Sequence, residues 1–247
     1  MIVEFIGSTG AGKTTLISQV QRRLAQTTDV VTSFDVVASL PGLPTVDHPT
    51  VRNFIQELVG FPFLIGSLRR NRIFLLFMLR MLARQAAFSI FTVNILRSIE
   101  RKIGVYEILR RRHHDHIVLV DEGTVLLAHN VFVYSSADYT REEITTFASL
   151  VPLPDIIVYI KAPVDILVQR ALLRTDPPRE IRSKNRALIE KHIQRAVEMF
   201  EELIQADNIQ SRLLIVENPD SDDQGCGDVV EGVVRFIINR KFANQDG

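Results

Sequence analysis

One stretch decides the fold of this chain: residues 2–15, with the sequence IVEFIGSTGAGKTT. Its first five residues are mostly apolar and predict a short strand. The next eight fit the pattern of a glycine, four residues and Gly-Lys-Thr. Apolar side chains at helical spacing follow, at Leu16, Ile17, Val20 and Leu24. A strand, a glycine-rich loop and an amphipathic helix in this order are typical of a phosphate-binding loop.

The glycines of such a loop let the backbone curl so that successive N–H groups point at phosphate oxygens. The helix N-terminus adds its partial positive charge to the same place. We expect Lys13 to reach the β- and γ-phosphates and the Thr14 hydroxyl to bind Mg²⁺. The predicted nucleotide-binding residues are Gly7, Ser8, Thr9, Gly10, Ala11, Gly12, Lys13, Thr14 and Thr15. The stretch therefore predicts binding of a nucleoside triphosphate such as ATP; a glycine-rich turn without a ligand is the alternative.

Short apolar segments alternate with helical patterns along the rest of the chain. Strands are predicted at 30–34, 117–120, 155–160 and 213–216. Between 51 and 112 the pattern predicts two or three helices, interrupted at Gly60-Phe61-Pro62. Because this alternation favours a parallel sheet covered on both faces, the predicted fold class is α/β, a three-layer sandwich with a five-stranded parallel sheet. We expect one domain over 1–247, with a helical insertion at 50–115.

Charge is distributed unevenly, although the net charge is +0. The segment 58–112 carries eleven basic residues and two acidic ones, Glu100 and Glu107. This asymmetry predicts an anionic partner for the segment. A single cysteine, Cys226, excludes an internal disulfide and suits a reducing compartment. With no recognisable signal peptide and no apolar run long enough to span a bilayer, a cytoplasmic location is expected.

Acidic residues follow two of the predicted strands. Asp121 and Glu122 come directly after the apolar run 117–120. A carboxylate in this position commonly holds Mg²⁺ in proteins with a phosphate loop, so Asp121 is a predicted metal ligand. Glu122 is a predicted base that accepts or orients the proton of a hydroxyl group. Asp35, at the end of the second strand, is either a second candidate base or a turn-forming residue.

Four arginines follow the fourth strand: Arg170, Arg174, Arg179 and Arg182. The first two lie four residues apart and therefore on one face of a helix. Phosphoryl transfer needs cations around the γ-phosphate, and arginine supplies planar donors for that purpose. We therefore predict a lid at 170–186, with Arg170 and Arg174 catalytic and with Arg174 and Arg179 at the nucleotide. Ordinary solvated arginines on a surface helix are the alternative.

These motifs resemble those of the P-loop kinase superfamily, nearest its thymidylate kinase and deoxynucleoside kinase branch. The resemblance rests on Gly7 to Thr14, on Asp121-Glu122-Gly123 after a strand, and on 154–163 continuing into Arg170 and Arg174. It implies a kinase that uses ATP and Mg²⁺, and it places Asn218 and Pro219 where that family has its adenine-contacting loop. The family's arginine after the third strand is missing here, because Glu122 and Gly123 follow Asp121.

Two other classes of nucleotide-dependent protein compete with a small-molecule kinase. The run 118–122 also fits the second motif of ATP-hydrolysing motors, whose glutamate activates water. The sequence lacks the Ser-Gly-Gly signature of transporter ATPases and the Asn-Lys-x-Asp motif of GTPases. An ATP-hydrolysing regulatory protein, or a kinase acting on a polynucleotide or a lipid-linked acceptor, remains the alternative.

The basic segment also contains many large apolar residues. We expect 73–91 to be buried, in an acceptor subdomain or between two subunits of a homodimer. The arginines Arg69, Arg70, Arg72, Arg80 and Arg84 are expected to rim the acceptor pocket and to hold an anionic acceptor. A membrane surface or a nucleic acid is the alternative partner.

Overall fold

The computed structural model of this chain describes residues 1–40, 49–84, 90–112, 116–134, 138–174, 185–218 and 223–243. The strands in this part of the chain are β1 (Ile2–Ile6), β2 (Val30–Thr32), β3 (Ile117–Val120), β4 (Ile156–Lys161) and β5 (Leu213–Glu217). The helices are α1 (Lys13–Leu24), α2 (Ser33–Ala38), α3 (Pro49–Ala83), α4 (Ile90–Arg112), α5 (Arg141–Leu150), α6 (Val164–Leu173), α7 (Arg186–Leu203), α8 (Asp207–Gln210) and α9 (Asp223–Ala243), with a π-helix at His129–Val133.

The five strands form one parallel sheet in the order β2-β3-β1-β4-β5. This confirms the predicted fold class. Strand β1 is at the centre of the sheet. The chain forms β2 and β3 on one side of β1 and then crosses to form β4 and β5 on the other side. Ligands of such sheets bind outside the carboxyl ends of the strands, at the point where the direction of growth reverses. Here that point is the loop between β1 and α1.

Apolar side chains cover both faces of the sheet. Successive residues of β4 point to opposite sides, so Val158 packs in the cluster that contains α1 and α9, whereas Tyr159 packs in the cluster that contains α5 and α7. The ring of Phe200 on α7 lies 5.6 Å from the ring of Tyr159. Because both faces of the central strands are buried, the sheet holds their carboxyl ends at fixed positions.

The second strand is shorter than predicted. It ends at Thr32, and residues 33–34, predicted as strand, begin α2. The Thr32 hydroxyl accepts a hydrogen bond from the Asp35 backbone N–H at 3.2 Å, and the Asp35 carboxylate accepts one from the Thr32 N–H at 2.9 Å. This capping box starts a helix where apolar content alone predicted a strand.

The predicted helix break at Gly60-Phe61-Pro62 is wrong, because α3 runs through it without interruption. A proline inside a helix costs about 3 kcal/mol, so packing has to compensate for it. Gly60 lies directly on α4: a Cβ added to Gly104 would sit 2.5 Å from the Gly60 carbonyl oxygen. The backbones of α3 and α4 thus touch at two glycines, and this close packing maintains the helix.

The burial predicted for 73–91 holds on one face of α3 only. Phe74 and Met78 are buried, whereas Ile73 and Leu76 are exposed. Residues 85–89 and the side chain of Phe91 lie outside the described part of the chain. In the residues that the structure describes, no helix is long and apolar enough to span a bilayer.

Candidate active site

The glycines of the phosphate loop adopt backbone conformations that other residues avoid. Gly10 and Gly12 have φ angles of 86° and 87°. A Cβ on Gly10 would lie 2.8 Å from the Leu167 carbonyl oxygen, and one on Gly12 would lie 2.4 Å from Nδ2 of Asn218. The left-handed conformation and the close neighbours both require glycine. The loop is therefore held in its curled form by α6 and by the residue after β5.

Lys13 folds back over the loop. Its ammonium group donates hydrogen bonds to the carbonyl oxygens of Gly7 at 2.8 Å and Ser8 at 3.1 Å. Burial lowers the pKa of Lys13, while the carboxylates of Asp121 and Glu122 act in the opposite direction. The lysine thus lies where a phosphate bound in the loop would meet its charge.

Thr14 and Asp121 meet at the rim of the loop. The Thr14 hydroxyl donates a hydrogen bond to Oδ2 of Asp121 at 3.2 Å. Burial raises the pKa of Asp121, and the charge of Lys13 opposes this shift. These two oxygen ligands fit Mg²⁺, which in nucleotide sites takes one or two protein oxygens beside phosphate and water. The described residues contain no cluster of three or more His, Cys, Asp or Glu that would hold a metal without a nucleotide.

A cavity of about 590 Å³ opens above the loop. The residues that line it include Gly7, Thr9, Gly10, Gly12, Lys13, Thr14, Thr15, Asp121, Glu122, Arg170 and Arg174. The Arg170 guanidinium donates to the Gly10 carbonyl oxygen at 3.4 Å. The cavity therefore brings two of the four predicted arginines to the phosphate loop. Arg179 and Arg182 lie outside the described residues, as does Pro219.

Glu122 is paired with two cations from α4. Its Oε2 lies 3.4 Å from Nη2 of Arg101 and 4.0 Å from Nζ of Lys102. The charge of Lys102 is the main reason why the pKa of Glu122 is lowered. Lys102 itself is buried, and burial lowers its pKa. The resemblance predicts an arginine in the chain directly after β3. Here the cations beside Glu122 come instead from α4, in the helical insertion.

Gly123 has no room for a side chain. A Cβ added to it would lie 2.3 Å from the carboxyl carbon of Glu4. Glu4 projects from the middle of β1 and is 1% exposed. Its carboxylate accepts hydrogen bonds from the backbone N–H groups of Leu126 at 2.9 Å and Val125 at 3.2 Å. Glu4 thus anchors the loop after β3, and its position excludes an arginine at 123.

A second cavity, of about 290 Å³, lies on the other side of Glu122. It shares Arg101, Lys102, Asp121 and Glu122 with the first cavity. Its remaining lining is mostly polar and comes from α2, α3 and α4: Ser33, Arg52, Asn53, Gln56 and Val105. Two compartments therefore meet at one group of two acids and two bases.

Two predicted site residues have structural roles. The Asp35 carboxylate caps α2 and accepts from both the N–H and the hydroxyl of Thr32, the latter at 2.7 Å. These bonds favour the turn-forming role over that of a base, and Asp35 lines neither cavity. Asn218 donates from Nδ2 to the Ala11 carbonyl oxygen at 2.8 Å. It supports the phosphate loop, and its predicted contact with adenine stays a prediction.

The arginines predicted to rim the acceptor pocket do not reach the site. Arg70 pairs with Glu107 at 2.6 Å, and Arg84 pairs with Glu143. Arg69, Arg70, Arg72, Arg80 and Arg84 line neither of the two cavities. The basic composition of 58–112 indicated that cations would act from this segment. Nothing in the local pattern distinguished Arg101 and Lys102 from their neighbours.

Three residues of the π-helix region also line the first cavity and were missed: His129, Asn130 and Tyr134. The His129 and Tyr134 rings lie 4.7 Å apart in an edge-to-face contact. Burial keeps the pKa of His129 well below its usual value, with His192 acting in the same direction. These residues form one wall of the cavity, and the lowered pKa keeps the His129 ring uncharged at neutral pH.

Comparisons with known proteins identify no family. No protein-family model matches the chain, and no curated protein is significantly similar to it. Among solved structures, the chain is similar to a shikimate kinase from Acinetobacter baumannii, in complex with shikimate, at 14% identity and a TM-score of 0.44, over 97% of this chain and 94% of that one. It is also similar to deoxyadenosine kinase from M. mycoides with bound dATP, at 13% identity and a TM-score of 0.49, over 97% and 98% of the two chains.

A shikimate kinase from Bacteroides thetaiotaomicron is similar at 12% identity and a TM-score of 0.48, over 96% of this chain and 98% of that chain. The names of all three are those of kinases. At such identities the substrates of those enzymes do not identify a substrate of this chain.

Proposed function

We propose that the protein is an ATP-dependent kinase that transfers the γ-phosphoryl group of ATP to a small-molecule acceptor. One observation carries the proposal: two cavities, of about 590 and 290 Å³, meet at Asp121 and Glu122. The larger one contains the phosphate loop and suits the donor. The smaller one is lined by polar side chains and suits an acceptor that carries a hydroxyl group.

On the donor side, the loop amides and Lys13 hold the β- and γ-phosphates. The Thr14 hydroxyl and the Asp121 carboxylate would hold Mg²⁺, which when bound neutralises phosphate charge. Arg170 and Arg174 face the same space and stabilise the charge that develops on the transferred group. The lid predicted at 170–186 would extend this wall; most of it lies outside the described residues.

On the acceptor side, Glu122 is the candidate base. Its lowered pKa keeps it ionised at neutral pH, and it lies between the two cavities. As the acceptor oxygen attacks the γ-phosphorus, the bond to the β-phosphate oxygen breaks and ADP leaves. The acceptor proton passes to Glu122. Arg52, Arg101 and Lys102 outnumber Asp121 and Glu122 in the acceptor compartment, and this small excess of basic groups favours an anionic acceptor.

ATP hydrolysis is the second candidate function. The Glu122 side chain is 62% exposed, so a water molecule can reach it without an acceptor. Nucleosides and nucleotides, polynucleotides and lipid-linked compounds remain candidate acceptors. A homodimer is part of the proposal because α3 exposes a row of apolar side chains.

The test is ADP formation by the purified protein with panels of nucleosides, nucleotides, sugars and other hydroxy compounds. A kinase forms ADP faster when its acceptor is present, together with an equal amount of phosphorylated product. Asp121→Asn should raise the Mg²⁺ concentration needed for half-maximal rate, and Glu122→Gln should mainly lower the rate. If no acceptor stimulates ADP formation and Glu122→Gln abolishes acceptor-free hydrolysis, the protein is an ATPase.

A further inference from the structure

Helix α3 exposes a regular row of apolar side chains. We define the α3 seam as Val51, Phe54, Leu58, Phe61, Ile65, Leu68, Arg72, Leu75 and Leu79. All of these residues except Arg72 are apolar. Leu75 is half-buried, and the other apolar residues expose between 41% and 64% of their surface. Single exposed apolar residues are common, but a continuous row indicates an interaction surface.

The spacing within the α3 seam alternates between three and four residues along its whole length. This repeat of 3.5 is the pattern by which one helix packs along another. Ile73 and Leu76 are exposed beside the C-terminal half of the α3 seam, so the apolar face is broader there than in the N-terminal half. The α3 seam is about 42 Å long at 1.5 Å per residue. Its exposed apolar surface is on the order of 800 Å², which is what each partner buries in a standard protein interface.

The two halves of the α3 seam have complementary shapes. The N-terminal half carries large projecting side chains, namely Phe54, Leu58 and Phe61. The C-terminal half borders an apolar cavity of about 470 Å³ between α3 and α4. Its lining includes Leu64, Leu68, Leu75, Leu76, Leu79, Leu96 and Ile99. The projecting side chains and the cavity lie at opposite ends of one helix. In an antiparallel pair, the projecting side chains of each copy therefore face the cavity of the other copy, which gives two equivalent contacts.

Charge favours the same direction of pairing. A parallel, in-register pair would place Arg72 against its own copy, which is repulsive. The antiparallel register that buries most of the α3 seam places Leu58 opposite Leu75 of the partner subunit, and Arg72 opposite Phe61 of the partner subunit. A guanidinium group packs well on an aromatic ring. Gly66 lies at the centre of this register, where a Cβ would meet only the Arg111 side chain, at 3.6 Å.

We propose that two copies of this chain associate through the α3 seam as an antiparallel helix pair, in which the apolar side chains of residues 54–61 fill the cavity between α3 and α4 of the other copy. None of the α3 seam residues lines either cavity of the candidate active site. The proposed dimer and the proposed kinase activity therefore rest on different residues, and each can fail without the other.

The test combines sedimentation with disulfide trapping in the full chain, with Cys226→Ser as background. We expect a dimer at about 10 μM. Leu58→Asp should raise its dissociation constant roughly 100-fold or more, because each dimer contains the change twice. Leu188→Asp, at a similarly exposed leucine on α7, is the matched control and should leave the dimer unchanged.

The disulfides report the direction of pairing. Leu58→Cys together with Leu75→Cys should form a covalent dimer on oxidation, whereas Leu58→Cys alone should not. In the proposed register two copies of residue 58 lie about 25 Å apart, too far for a disulfide. Three results would overturn the proposal: a monomer at every concentration, a disulfide dimer from Leu58→Cys alone, or a monomer that floats with vesicles containing phosphatidylserine.

Discussion

The buried carboxylate of Glu4 makes the stability of this protein depend on pH in a direction that can be measured. Burial raises the pKa of Glu4 from 4.5 to about 7, against the opposing effects of the Leu126 and Val125 N–H groups and the charge of Lys102. The group therefore binds its proton more tightly in the folded state than in the unfolded state. Stability from this source is complete below pH 4.5, falls as the pH rises towards 7 and is constant above that.

The magnitude follows from the two pKa values. A difference of about 2.5 units corresponds to roughly 3 kcal/mol of unfolding free energy between pH 4.5 and pH 8. Glu4→Gln removes the titrating group but leaves an amide at the same position. The variant carries its own constant cost, since its NH₂ group faces backbone donors. The prediction therefore concerns the slope with pH and not the absolute stability of either protein.

Urea unfolding at pH values between 4.5 and 8 measures this slope for both proteins. The free energy of the unaltered protein minus that of Glu4→Gln should fall by roughly 3 kcal/mol across the range. Glu100, whose pKa is also raised to about 7, titrates in both proteins and cancels in the difference. A difference that does not change with pH, or that rises with it, would refute the reasoning, because Lys102 and the two N–H groups would then outweigh burial.

Three further predictions concern the loop, the strand end and the insertion. Lys13→Ala should lower the rate of phosphoryl transfer by roughly 100-fold or more while leaving the unfolding midpoint nearly unchanged, because glycines and backbone contacts shape the loop; an unchanged turnover would contradict the role of the loop. Gly123→Ala should destabilise the fold by about 2–4 kcal/mol, since its Cβ would lie 2.3 Å from a buried carboxyl group. Gly232→Ala, which meets nothing within 4 Å on α9, is its control and should be neutral or stabilising in thermal denaturation. Lys102→Met should raise the pKa of Glu122, so the acidic limb of the pH–rate profile should move to higher pH; a profile that keeps its position would rule out Glu122 as the base that Lys102 tunes.

Local sequence patterns were sufficient for the phosphate loop, for the strand and helix that flank it, and for the pair of predicted metal ligands. The strand at residues 2–6, the loop and the first helix follow from residues that are neighbours in the chain. Thr14 and Asp121 were predicted to act together, and they lie 3.2 Å apart because parallel strands bring their carboxyl ends to one edge. The first prediction rests on short-range sequence rules. The second rests on sheet topology, which is common to sequences in which strands alternate with helices.

The sequence interpretation was wrong at two places, once because tertiary packing opposed a local signal and once because a second local signal opposed the first. Pro62 indicated the end of a helix, yet α3 continues because its backbone meets that of α4 at Gly60 and Gly104. Apolar content predicted a strand through residue 34, yet a single capping box at Thr32 and Asp35 turned its end into a helix. In both cases the structure depends on a contact between particular atoms, the Gly60–Gly104 contact or the Thr32–Asp35 hydrogen bonds. The number of apolar residues in the segment does not predict such a contact.

The acceptor half of the candidate site depends on tertiary structure alone. Composition indicated a cationic segment at 58–112, but which of its eleven basic side chains would face Glu122 depended on how α3 and α4 pack on the sheet. Packing placed Arg101 and Lys102 there. Glu4 supplies the reason why no arginine follows Glu122 in the chain: a carboxylate buried in the central strand occupies the space beside Gly123. The sequence by itself determined the strand, loop and helix of the predicted phosphate site, because those residues are adjacent. The partners of Glu122 come from a helix some twenty residues away, and only the close packing of the folded chain decided which side chains those are.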